Sequence, residues 1–229
     1  MSKASTVKTI VSNGNALLSA GIFFTVIIVL WPILMVMSEV QGTTQEQLMT
    51  IADSPRVYTI NFAVASLIAP AITWIMLLLA FGIKTKKDTP FLNRFGALLL
   101  APYVTLVSLA YTSQYTLLQS LLREGDWMQA KLWFFDNQGS IPYFANQLGY
   151  TFFALSALMI GYKFLLEQGI LKAIGYLLWA SGVLSIAAFV GLAINNDIMN
   201  SSTIISGLLT VPIGVLVMVL GWRRGREHD

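Results

Sequence analysis

The chain has 229 residues, of which 56% are hydrophobic and only 11% charged. Soluble domains average about 25% charged residues, so the composition points to a single integral membrane domain, residues 1–229. The net charge of +3 implies no nucleic-acid partner, because the basic residues are scattered between apolar runs. The lack of cysteine excludes disulfides, thiolate metal sites and a cysteine nucleophile.

A membrane span needs about 20 mostly apolar residues. Six segments meet that requirement: 16–37, 57–82, 95–118, 143–164, 170–194 and 203–222. The sequence therefore predicts an all-α polytopic membrane protein, a six-transmembrane-helix bundle. Lys3 and Lys8 precede the first segment as they would in a signal peptide. The run itself is too long for an h-region and no small-residue cleavage site follows, so it is read as a retained helix. The connection 38–56 is polar and acidic, with Ser54-Pro55 marking entry to the second span. Pro32, Pro70, Pro102 and Pro212 interrupt spans. Each removes a backbone hydrogen bond, and bends at Pro70 and Pro102 would open space between helices. The third connection, 121–141, carries Trp127, Leu132, Trp133 and Phe135. A short amphipathic segment is expected there at the outer surface. Gly169 is expected to break the chain between spans four and five.

Charge sorts by side. Lys3, Lys8, Lys84, Lys86, Lys87, Arg94, Lys163, Lys172, Arg223, Arg224 and Arg226 make 11 of the 14 basic residues and share one side. Arg56, Arg123 and Lys131 fall on the other, beside Glu39, Glu46, Asp53, Glu124, Asp126, Asp136 and Asp197. The positive-inside rule then predicts a multi-pass protein of the cytoplasmic (inner) membrane with both termini in the cytoplasm.

Polar residues at helical spacing supply the candidate site. Thr105, Ser108, Thr112 and Tyr115 follow i, i+3, i+7, i+10 in the third span, with Tyr111 and Gln114 beside them. Tyr143, Asn146, Gln147 and Tyr150 follow i, i+3, i+4, i+7 at the start of the fourth. Each set marks one helix face, and both fall in the outer half of the membrane, level with Asn61. An unpaired amide or hydroxyl in hydrocarbon costs several kcal/mol, about as much as several ordinary hydrogen bonds contribute. The stripes should therefore face the bundle or a wet cavity. The predicted ligand-binding groups are Asn61, Tyr111, Gln114, Tyr115, Asn146, Gln147 and Tyr150, acting through neutral hydrogen bonds and ring contacts. Ordinary interhelical bonding plus a tyrosine belt is the competing reading.

Small residues form a second pattern. Gly207, Gly214 and Gly221, Gly175 and Gly182, and Gly14 and Gly21 each recur at seven-residue spacing. Such stripes let backbones approach closely, within the bundle or across the seam of a homodimer or membrane partner. No catalytic residue, metal ligand or cofactor is predicted. The single histidine, His228, lies in the polar C-terminal tail, and no H-E-x-x-H, P-loop or Gly-x-Ser-x-Gly occurs. The leading expectation is a non-enzymatic protein that binds a small apolar or amphipathic ligand, or a partner peptide, in an outward-facing pocket, in a sensing, accessory or immunity role. A transporter of a neutral or lipophilic solute and a structural subunit of a membrane complex are the alternatives, and an intramembrane enzyme ranks last.

Overall fold

In the computed structural model the described residues are 3–86 and 89–226, with side chains from Gly14 onward. Of the residues used above, Lys3, Lys8, Lys87 and His228 lie outside the described side chains. Every regular element among the described residues is a helix. The long ones are α1 (Lys3–Ser38), α5 (Pro90–Tyr115), α8 (Ile141–Tyr162), α9 (Gly169–Ala193) and α11 (Ser202–Arg226). The second predicted span divides into α3 (Arg56–Ala65) and α4 (Ile68–Leu77), ending in a π turn, Leu78–Gly82. Shorter helices α2 (Thr44–Asp53), α6 (Leu117–Glu124), α7 (Trp127–Trp133) and α10 (Asp197–Asn200) gather at one end.

Five segments are long and apolar enough to cross a membrane: Gly14–Ser38, Arg56–Gly82, Pro90–Glu124, Gly169–Ala193 and Asp197–Arg226. They mark a multi-pass α-helical membrane protein. The α8 helix is not among them, because its first half carries Tyr143, Asn146, Gln147 and Tyr150. It is nevertheless the most enclosed long helix, and all four of those side chains are turned inward, Tyr143 half-buried and the rest buried.

The long helices form a closed ring. Each packs on its chain neighbour, in the order α1, α3–α4, α5, α8, α9, α11, and α11 packs back on α1. Glycine makes the tightest seams. A Cβ on Gly21 would lie 2.7 Å from the Met218 amide nitrogen, and one on Gly221 would strike the Leu18 backbone. Gly175 meets Phe164, and Gly182 meets Ala154 and Leu158. Six of the seven stripe glycines are therefore used inside the ring. Only Gly207 has nothing within 4 Å of its Cβ position.

Local chemistry explains the breaks. Pro70 has no N–H for the Ser66 carbonyl, so the helix divides there and the Leu67 amide turns to Val64 instead (3.1 Å). In the first outer connection, Thr43 and Glu46 form a capping box that starts α2, the Thr43 amide donating to Glu46 Oε2 at 2.7 Å. Gly125, in the left-handed conformation (φ +74°), closes α6, and the Asp126 side chain caps α7 through the Gln129 amide. The stretch 121–141 thus contains α7. Phe134 and Phe135 follow it into the bundle, while Trp127, Met128 and Leu132 stay exposed. We call this end, with α2, α6, α7 and α10, the cap end, and the opposite one the far end.

Two expectations need correction. Lys163, read as a basic residue flanking a short turn, is buried at the far end. Its Nζ donates to the Ala80 and Ile83 carbonyls (2.8 and 3.0 Å). The π turn shifts the backbone pairing there, and the ammonium group supplies donors to these carbonyls. The Thr105–Ser108–Thr112–Tyr115 stripe does not face the interior either. Thr105 is exposed and the other three are half-buried, while Leu100, Tyr103, Val107, Ala110, Tyr111 and Gln114 make the buried face of α5. The Thr112 hydroxyl bonds the Ser108 carbonyl of its own helix (2.7 Å). A hydroxyl satisfied this way need not turn inward.

Candidate functional site

In the cap half of the ring, α1, α4, α5, α8 and α11 enclose a cavity of about 380 Å³, within the range of small-molecule sites, roughly 300–1,000 Å³. Along α8 it runs from Tyr143 to Phe153. At about 1.5 Å per residue this is roughly 15 Å, half of a hydrocarbon core about 30 Å thick.

Its wall changes character with depth. The rim carries the exposed residues Gln138, Asp197 and Ser201. Below them is an amide and hydroxyl ring. Asn200 Nδ2 donates to the Tyr143 hydroxyl at 2.6 Å. Gln147 Nε2 donates to Asn200 Oδ1 at 3.2 Å, and the Thr203 hydroxyl donates to Gln147 Oε1 at 2.9 Å. Asn146 stands in the same wall, 4% exposed, and its Oδ1 is buried without a hydrogen-bond partner. Deeper, Tyr103, Tyr111 and Tyr150 stand in the wall, with the Tyr103 and Tyr150 ring centroids 5.6 Å apart. The floor is apolar, built by Phe24, Ile28, Ile72, Phe153 and Val211. Among the described lining residues, Asp197 alone is formally charged. The wall can therefore offer neutral hydrogen bonds near the rim and dispersion contacts below. Among the described residues no cluster of three His, Cys, Asp or Glu forms.

Of the predicted site residues, Tyr111, Asn146, Gln147 and Tyr150 line this cavity together. Gln114 is one step outside it, fully buried, and ties the cap to the bundle. Its Oε1 accepts from the Tyr58 hydroxyl (2.9 Å) and the Phe135 amide (3.0 Å), and its Nε2 donates to the Trp133 carbonyl (2.9 Å). Asn61 bonds Ser38 Oγ on α1 at 2.8 Å. Tyr115 lines a separate recess of about 310 Å³ with Thr59, Gln119 and Arg123. Sequence reasoning missed Tyr103 and Asn200. Tyr103 lies eight residues before Tyr111, on the same helix face, and that spacing was available to find it. Asn200 sits in a one-turn helix with no periodicity to mark it.

Beside the rim, the Asp136 carboxyl is raised from 3.8 to about 6, by loss of hydration first and by the Glu39 carboxylate second. It still keeps more than a third of its surface exposed, so solvent screens much of that effect. Comparison of the chain with protein-family models, curated proteins and solved structures finds no match.

Proposed function

We propose that this chain is a six-span protein of the cytoplasmic membrane, with both termini cytoplasmic. In its outer half it binds a small uncharged, apolar or amphipathic molecule. The sixth span is α8. Its 22 residues extend about 33 Å, enough for the core of a bilayer. Its amides point inward, leaving Phe144 exposed towards lipid and Leu155 half-buried beside it. Polarity on the inner face lowers a helix's average hydropathy without exposing any polar group to hydrocarbon.

The observation that carries the binding reading is Asn146 Oδ1. A buried acceptor without a donor costs roughly 1–3 kcal/mol, and Asn146 belongs to the cavity wall. A transporter would also need an exit at the far end. There the Gly14, Gly21, Gly214 and Gly221 contacts hold α1 and α11 together, which favours binding over passage. A structural subunit would present its small-residue stripes outward, whereas these are used internally. The direct test is native mass spectrometry of the full chain released gently from membranes. A co-purifying neutral mass on the wild type, reduced severalfold in Asn146→Leu, is expected. A bare chain in both would remove the binding reading.

A further inference from the structure

The cavity does not open only to water. On one side it is bounded by residues of α1 and α11 that are themselves exposed. In the far half these helices touch backbone to backbone through Gly14, Gly21 and Gly221, and Gly214 meets Phe24 and Thr25. In the cap half Trp31, Pro32 and Met35 of α1 and Ile204, Gly207, Leu208 and Val211 of α11 line the cavity instead. Met35, Ile204 and Leu208 are also 42, 63 and 56% exposed, so the same residues face both the cavity and the outside. Gly207 has open space where a side chain would be. Pro212 lies inside α11, between the cavity-lining Val211 and Gly214 at the seam, and proline bends a helix away from straight. These exposed apolar residues of the wall would border a slot between the two helices.

Resting on the binding reading above, we propose that the ligand is a single-chain lipid with an uncharged, hydroxyl-bearing head, taken sideways from the outer leaflet through this slot. The depth profile of the wall matches a lipid in that leaflet. Head-level groups (Tyr143, Asn146, Gln147, Asn200) lie near the cap end, and the apolar floor (Phe24, Ile72, Phe153) lies about 15 Å deeper. A lipid would move laterally at constant depth, its head never crossing hydrocarbon and its chain never entering water. The slot also resolves the volume, since a chain too long for about 380 Å³ can lie partly between the helices in lipid. Asn146, Gln147 and Asn200 in the wall offer neutral amides to a hydroxyl in the head. Asp197 on the rim disfavours an anionic one, because a like charge at close range is repulsive.

The test uses the full chain in phosphatidylcholine vesicles with a photoactivatable monoacylglycerol whose diazirine sits in the acyl chain. Labelled peptides are mapped by mass spectrometry. Wild-type labelling is expected on the cavity-lining segments of α1, α8 and α11, and a fatty acid of the same chain length should label them severalfold less at pH 7.5. Gly207→Trp, which fills the slot, should cut monoacylglycerol labelling about tenfold. Gly207→Leu, a smaller plug, serves if the tryptophan variant does not fold. Asn146→Leu should cut it about two- to tenfold, the value of one neutral hydrogen bond. Labelling that falls in Asn146→Leu but persists in both Gly207 variants would refute lateral entry and leave the binding reading standing. Cavity labelling that is absent, or equal in wild type and Asn146→Leu, would refute both. Stronger labelling by the fatty acid would overturn the neutral-head assignment alone.

Discussion

Gln114 and Asn146 are both buried amides, and their surroundings set opposite roles. Gln114 makes hydrogen bonds to Tyr58, Ser113, Trp133 and Phe135, so Gln114→Leu would leave several buried partners unpaired at roughly 1–3 kcal/mol each. Thermal unfolding should show a loss of several kcal/mol, with hydrogen exchange rising first in 127–137 as the cap detaches. An unchanged midpoint would contradict the bridging role. The sequence shows both residues as polar positions on inward faces. It cannot show that one amide meets backbone donors from a loop and the other meets none, since that depends on where 134–140 folds back. Asp136 belongs to the same loop. Its folded carboxyl binds a proton more tightly than the unfolded chain, near 6 against 3.8. The associated stability is therefore full below about pH 4 and lost as pH rises through about 6. Asp136→Asn should raise the unfolding midpoint at pH 7.5 and leave it nearly unchanged at pH 4. Because the group is partly exposed, the gain should stay below about 1 kcal/mol.

At the level of elements, five of the six apolar segments were legible because hydrocarbon demands length and apolarity. The T-x-x-E signal at Thr43–Glu46 was also present, and it would have identified α2 inside the polar connection. The α5 face was misread because hydroxyls can bond their own helix, as Thr112 does. Polarity alone therefore does not fix which side of a membrane helix is inside, whereas amides such as Asn146 and Gln147, which are bulkier and harder to satisfy locally, did mark it on α8. Glycine spacing announced close packing but not which helix would be met. The ring assigns Gly21 to the α1–α11 seam, where a Cβ would lie 2.7–2.9 Å from Met218. Gly21→Leu should lower stability by about 1–3 kcal/mol or more through overpacking. Gly207→Ala, in open space, should stay within roughly 0.5 kcal/mol. Equal effects of the two on the unfolding midpoint would mean that the seam does not close as described.

For the whole molecule, the proposed topology has an even number of crossings. It puts Lys3 and Arg226 on one side and the cap of α2, α6 and α7 on the other. Reporter fusions after Arg226 and within 127–133 should give opposite signals, cytoplasmic for the first and external for the second. Matching signals would remove α8 as a span. The central claim is that the cavity is a binding site rather than a packing defect, and two unfolding midpoints for the full chain in phosphatidylcholine nanodiscs decide it. Without ligand, Asn146→Leu should unfold later than wild type, by about 1 kcal/mol or more, because it removes an orphaned buried acceptor. With monoacylglycerol added, the wild type should gain a saturable rise in midpoint that the variant largely lacks. A wild type that does not respond to the lipid, or a variant that responds equally, would contradict the account.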